Sequence, residues 1–80
     1  MSKKFKTDFE LYVIDKVRDR RNELGLSQDD VAFFLVTDRS FIGQVESPKT
    51  PVKYNLNHLN ILAKELKCSP KDFMPDSFIL

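Results

Sequence analysis

Apolar residues recur every three or four positions along most of this chain, which is the spacing of helices with one buried face. Each apolar stretch follows a residue that can cap a helix: Thr7, Ser27, Asp38, Asn55 and Ser69. A capping side chain accepts a hydrogen bond from a free backbone N–H at a helix start, so these residues mark the expected starts. The pattern predicts five helices and no strands.

The first and fourth helices carry the broadest apolar faces. The first is expected to begin at Thr7, where Glu10 completes a capping box, and to stop at Gly25, because glycine adopts the left-handed conformation at little cost. Its apolar residues are Phe9, Tyr12, Val13, Ile14, Val17 and Leu24. The fourth helix follows Asn55 and carries Leu56, Leu59, Leu62, Ala63 and Leu66. These two faces predict most of the core.

The end of the chain combines a short helix with an apolar tail. Ser69 and Pro70 open the fifth helix, since proline suits the first helical position, and Phe73 and Met74 are expected to pack inward. The tail, residues 75–80, ends in Phe78, Ile79 and Leu80. Large apolar residues at a terminus usually dock, either on their own domain or on a second subunit.

Two short helices joined by a tight turn are predicted between Ser27 and Glu46, at residues 28–35 and 38–46. The apolar residues that face each other across the turn are Val31, Ala32, Leu35, Ile42 and Val45. Burying them leaves an exposed stripe on the second helix that consists of Arg39, Ser40, Gly43 and Gln44. A short helix with long polar donors on its outer face fits the major groove of duplex DNA. The pattern therefore predicts a helix-turn-helix whose recognition helix is 38–46.

Two phenylalanines do not fit the buried face of the helix 28–35. A helix buried along Val31 and Leu35 exposes at least one of Phe33 and Phe34. The first helix or the tail covers them, or they belong to a partner surface. The candidate dimer or partner surface therefore consists of Phe33, Phe34, Phe78, Ile79 and Leu80, and the alternative is that these residues only complete the core.

Composition narrows the function classes. Eighty residues form one domain with a modest core, and the net charge of +1 argues mildly against strong non-specific DNA binding. Cys68 stands alone and His58 is the single histidine, so neither an intrachain disulfide nor a structural zinc site is expected. With no glycine-rich phosphate loop and no Ser/His/Asp set, we expect no enzyme, no cofactor and no small-molecule ligand.

Location and the basic segments add three expectations. No apolar run approaches the length of a membrane span and no signal segment follows the first lysines, so a cytoplasmic protein is expected. Residues 1–6 are expected to form a mobile basic arm, followed by the DNA-binding domain at 7–74. Lys49 and Lys53 follow the recognition helix and Gln28 lies beside the free N–H groups of its own helix, so each is a candidate phosphate contact. The alternative for each is a solvated side chain.

Several short motifs, in their order and spacing, resemble the phage repressor and Cro-like helix-turn-helix family, often called the XRE family. The resemblance covers roughly residues 13–74 and consists of Arg21, Gly25-Leu26-Ser27-Gln28, Val31-Ala32, Ile42, Val45-Glu46, Leu59, Leu62-Ala63, Leu66 and Ser69-Pro70-Lys71-Asp72-Phe73. It implies an all-α, compact five-helix repressor-like domain in which the second and third helices form the helix-turn-helix.

The resemblance also implies roles for individual residues. Gln28 would contact a phosphate and brace the recognition helix, and Arg21 and Glu46 would form a structural ion pair between the first and third helices. The residues that would face the bases are Arg39, Ser40 and Gln44, with Gly43 close to the DNA. The implied function is a sequence-specific transcription regulator, a repressor that binds double-stranded DNA as a homodimer. The alternatives are a protein-interaction module, or the antitoxin of a toxin–antitoxin pair with a protein partner.

The chain departs from the family pattern in several places. Val36 stands in the turn where the family usually has glycine, and valine tolerates a positive φ poorly, so a differently shaped turn is expected. Pro48 replaces a second common glycine, and Gly43 takes a place often held by serine. None of these departures removes the predicted reading face.

Overall fold

The computed structural model describes residues 4–80, which form four α-helices followed by one turn of 3-10 helix. The α-helices are α1 (Asp8–Glu23), α2 (Gln28–Leu35), α3 (Arg39–Glu46) and α4 (Leu56–Glu65), and the 3-10 helix is Pro70–Phe73. These described residues contain no strand, so the predicted all-α class is confirmed. None of the helices in residues 4–80 is long and apolar enough to cross a bilayer.

The helices begin where the capping residues predict. At α1 the Glu10 N–H donates to the Thr7 hydroxyl at 3.1 Å, and the Thr7 N–H donates to the Glu10 carboxylate at 2.8 Å. The same reciprocal arrangement joins Ser27 with Asp30, Asn55 with His58, and Ser69 with Asp72. Asp38 caps α3 by accepting from the Phe41 N–H. Because caps are local interactions, they are readable from sequence.

The core draws on all four α-helices and the 3-10 helix. Its largest fully buried side chains are Phe73, Ile42, Leu62, Leu66, Val17, Val31 and Val45. The predicted apolar faces are not buried along their whole length, since Phe9 and Leu24 are each 37% exposed and Leu56 is 80% exposed. All three lie at or next to a helix end, where fewer neighbouring side chains cover them. Their predicted burial is wrong.

The predicted fifth helix is a single 3-10 turn, Pro70–Phe73. Ser69 caps it and Phe73 is buried, as expected, but Met74 already has an extended backbone with φ −100° and ψ 147°. The residue before a proline is disfavoured in the helical region, and Pro75 follows Met74. The five-helix count is therefore replaced by four α-helices and this turn.

The turn between α2 and α3 keeps a left-handed residue in spite of its sequence. Val36 has φ 55° and ψ 50°, and the Thr37 N–H donates to the Ala32 carbonyl at 2.9 Å, which closes the end of α2. The expectation of a differently shaped turn is therefore wrong. Val36 adopts the conformation that glycine would adopt more easily, and its side chain is 93% exposed.

Lys6 contradicts the expectation of a mobile basic arm over residues 1–6. Only 3% of this residue is exposed, and its ammonium donates to main-chain carbonyls at the end of α3. Lys4 is exposed and donates to the Asp8 carboxylate at 2.8 Å. Residues 1–3 of the predicted arm lie outside the described residues.

Candidate nucleic-acid interface

The α3 helix has one buried face and one open polar face. Ile42 and Val45 are completely buried against the core. The side chains of Arg39, Ser40 and Gln44 are exposed, and Gly43 lies half-buried between the two faces. The structure therefore brings the four residues of the predicted reading stripe together on one short helix.

One residue of that stripe, Ser40, takes part in the hydrogen bonds at the N-terminus of α3. The Ser40 hydroxyl donates to Asp38 Oδ1 at 2.6 Å, and the Phe41 N–H donates to the same oxygen at 3.0 Å. The hydrogen bond from Ser40 is the main cause that lowers the pKa of Asp38 below its ordinary value, followed by the bond from Phe41. Because the Ser40 proton is engaged in the cap, its hydroxyl offers only acceptor capacity to an external group.

The C-terminal end of α3 is held by a charged network. Arg21 forms two parallel hydrogen bonds to Glu46, from Nε to Oε2 at 3.0 Å and from Nη2 to Oε1 at 2.9 Å. The Arg21 and Glu46 side chains are only 12% and 6% exposed. Gln28 Nε2 donates to Glu46 Oε1 at 3.0 Å, so the same carboxylate also joins the start of α2. The ion pair and the bracing contact implied by the resemblance are both present.

Gly43 faces that network across a small gap. A Cβ atom built at this position would lie 3.8 Å from Gln28 Oε1, which is an ordinary van der Waals distance. The fold of the monomer therefore does not require glycine here.

The middle of α3 is joined to α4 by an aromatic cluster. Phe41 packs edge-on against Tyr54 with ring centroids 6.5 Å apart and against His58 at 5.4 Å. Phe41 and His58 are both half-buried in this cluster. Burial lowers the pKa of His58, and desolvation followed by the Glu46 charge raises that of Tyr54. The Tyr54 hydroxyl is buried without a hydrogen-bond partner among residues 4–80.

The two predicted loop lysines differ in their surroundings. Lys49 is exposed in the loop that follows α3. Lys53 donates from its ammonium to Glu10 Oε2, and this bond is the main cause that lowers the pKa of Glu10. The Lys53 charge is therefore partly neutralised within the chain, whereas Lys49 presents its charge to solvent.

The candidate partner surface is partly exposed. Phe33 is 80% exposed, whereas Phe34 is half-buried against the core and packs edge-on to Phe33 at 6.4 Å. Phe78 is 72% exposed, Leu80 is fully exposed and Ile79 is half-buried. Neither α1 nor the tail covers Phe33.

Two short helices joined by a left-handed turn, the second with a free polar face, define a helix-turn-helix domain. Among solved structures, the chain is similar to the restriction-modification controller protein C.AhdI from Aeromonas hydrophila. That likeness has 31% identity and a TM-score of 0.66, and it covers 80% of this chain and 96% of that one. The chain belongs to the phage repressor and Cro-like, or XRE, family of helix-turn-helix proteins.

A second solved structure supports the fold. It is a hypothetical transcription factor, NHTF, from Neisseria, with 20% identity and a TM-score of 0.71, and it matches over 85% of this chain and 76% of that one. No protein-family model and no curated protein matches the chain.

Proposed function

We propose that this protein is a sequence-specific regulator of transcription that binds duplex DNA by inserting α3 into the major groove. The observation that carries the proposal is the two-faced α3, with Ile42 and Val45 fully buried and the long polar side chains of Arg39 and Gln44 exposed. The similar restriction-modification controller protein, which is 31% identical to this chain, supports the same class of function.

In this proposal the exposed side chains of α3 read bases. Arg39 donates two hydrogen bonds to a guanine, and Gln44 pairs in the same bidentate way with an adenine. Each good pair of this kind contributes about 1–3 kcal/mol of discrimination against the wrong base. Ser40 contributes as an acceptor, and Gly43 lets the helix backbone approach the DNA.

Contacts with phosphates orient the protein without selecting sequence. Gln28 keeps one amide hydrogen after its bond to Glu46 and lies at the start of α2, where free N–H groups favour an anion. Lys49 is the stronger of the two lysine candidates, because Lys53 shares its charge with Glu10. We further propose that the regulator acts as a repressor, as the family resemblance implies.

Selection from a pool of randomised duplex DNA tests the base-reading roles. We expect the wild type to enrich a defined site, Gln44→Ala to lose the preference at one base position, and Arg39→Ala to lose guanine selection at another. Asn60→Ala is the matched control, because Asn60 is an exposed polar residue on α4. No enrichment, with only salt-sensitive retention of DNA, would overturn the proposal.

A second candidate function rests on the exposed apolar residues. Phe33 and Phe78 are large aromatic residues that are 80% and 72% exposed. They favour a protein partner, as in an interaction module or an antitoxin. If the selection experiment enriches no sequence, binding of a protein partner becomes the favoured function.

A further inference from the structure

The ammonium of Lys6 lies at the C-terminal end of α3, although the two are about 40 residues apart in sequence. Nζ donates to the Gln44 carbonyl at 3.1 Å and to the Val45 carbonyl at 2.9 Å. It also donates to the Ser47 carbonyl and lies 3.4 Å from the Thr50 hydroxyl. One buried side chain therefore binds the last turn of α3 and the loop that follows it.

The Lys6 ammonium satisfies carbonyl groups at the C-terminus of α3 that have no partner within the helix. The last carbonyls of a helix have no partner within the helix, and they form the negative end of its dipole. The last turn of α3 contains no basic residue. Lys6 supplies both the missing donors and the positive charge. Burial lowers the pKa of Lys6, and the nearby Glu10 carboxylate opposes that effect.

The Gln44 carbonyl is the most heavily bound group of the set. It accepts from Lys6 Nζ, from the Thr50 hydroxyl at 2.5 Å and from the Ser47 N–H at 3.3 Å. Gln44 is also the residue whose exposed side chain extends from the last turn of α3. Its main chain is thus held from inside while its side chain stays free.

The other end of α3 is held by a different device. Asp38 caps the first turn through Phe41, and Lys6 makes no contact there. Arg39 therefore depends on the cap, and Gln44 depends on the Lys6 contacts. Loss of the Asp38 cap or of the Lys6 contacts should therefore loosen one end of α3 more than the other.

We propose that Lys6 is a positioning residue for DNA reading, which holds the last turn of α3 so that Gln44 meets its base in a fixed orientation. This inference rests on the proposed function, because it assigns a residue that acts through Gln44. It also assigns the N-terminal segment a specific part in recognition besides any contact with phosphates.

The test compares Lys6→Met with Lys4→Met in the full chain. Both variants remove one positive charge from the same segment, but only Lys6 contacts α3, since Lys4 pairs with Asp8. Each variant is selected against randomised duplex DNA at a temperature where its helical circular dichroism equals that of the wild type. We expect Lys6→Met to lose about tenfold in preference at the base position that Gln44→Ala identifies, and to keep the guanine selection of Arg39. Lys4→Met keeps both preferences.

Hydrogen exchange without DNA provides a separate readout. We expect the amides of Glu46 and Ser47 to exchange at least tenfold faster in Lys6→Met, with less change at Phe41, whose N–H belongs to the Asp38 cap. If Lys6→Met is too unstable, Thr50→Val removes another donor to the Gln44 carbonyl. It should also speed exchange at Glu46 and Ser47 more than at Phe41, but by a smaller factor.

The outcomes separate the two proposals. A wild type that enriches no sequence overturns the proposed function, and hydrogen exchange then still decides whether Lys6 holds α3. A wild type that selects DNA, combined with unchanged or uniformly weakened base preferences in Lys6→Met, overturns the positioning role. A uniform loss would mean that Lys6 contributes only to global stability.

Discussion

Val36 is the residue at which this chain departs most clearly from local conformational preference. A β-branched residue with φ 55° is strained, because its branched side chain crowds the backbone. Packing of the side chain does not offset this strain, since the side chain is 93% exposed. The tight approach of α2 and α3 therefore determines the turn, and local propensity does not.

Substitution of Val36 by glycine should raise the free energy of unfolding. Relief of about 1–2 kcal/mol of left-handed strain exceeds the extra entropy that glycine gives the unfolded chain, which is about 0.4–1 kcal/mol. We expect a net gain of about 1 kcal/mol in urea unfolding. Lys67→Gly is the comparison, because Lys67 also has a positive φ of 59° but is not β-branched, so its gain should be smaller. A loss of stability in Val36→Gly would show that contacts of the valine side chain stabilise the fold by more than the strain destabilises it.

At the scale of elements, the start of α1 is joined to the loop after α3 through Glu10. Its carboxylate accepts from the Thr7 N–H inside the capping box and from Lys53 across the fold. Both bonds favour the ionised form, and the bond from Lys53 is the larger cause of the lowered pKa.

Acid should weaken this connection in a defined direction. The folded chain holds the Glu10 proton less tightly than the unfolded chain, so the stabilisation is complete above the ordinary value of 4.5 and is lost as pH falls through the lowered pKa. We expect urea unfolding measured from neutral to acidic pH to show a shallower loss of stability in Glu10→Gln than in the wild type. Lys53→Met should weaken the same dependence, because the bond from Lys53 is the largest cause of the lowered pKa. Equal slopes in all three proteins would contradict the assignment.

The elements differ in how far their sequence determines them. The starts of α1, α2, α3 and α4 were predictable because a cap involves residues within one turn of each other. The shortened last helix was missed, although the effect of Pro75 on Met74 is a local signal.

The Lys6 contact could not be predicted from the sequence, because it joins residues 38 to 44 positions apart. No sequence pattern separates a buried lysine from a solvated one. The partial burial of His58 was unpredictable for the same reason, since it depends on packing against Phe41 and Tyr54.

At the scale of the whole molecule, the exposed apolar residues bear on assembly. Dimers of helix-turn-helix domains present two recognition helices to successive major grooves about 34 Å apart. Phe33 lies on α2 and Phe78 in the tail, so they belong to different segments, and a self-association surface at either one is separable from the other by substitution.

We expect sedimentation equilibrium at high micromolar concentration to give the mass of a dimer for the wild type. Phe33→Ser and Phe78→Ser each remove one exposed ring and should cost the core little. The variant that shifts the mass toward the monomer identifies the interface. A monomeric wild type under these conditions would refute the homodimer and leave these rings for a different protein partner.

The way α3 is held also has an evolutionary consequence. Its stability derives from the Asp38 cap, from Ile42 and Val45 on the inner face, and from Lys6 and Arg21 at its far end. The outward side chains of Arg39 and Gln44 have no part in that support. Under the proposed function, mutations at these two positions would change which DNA site is preferred at little cost in folding, so related proteins could diverge in target sequence while they keep one scaffold.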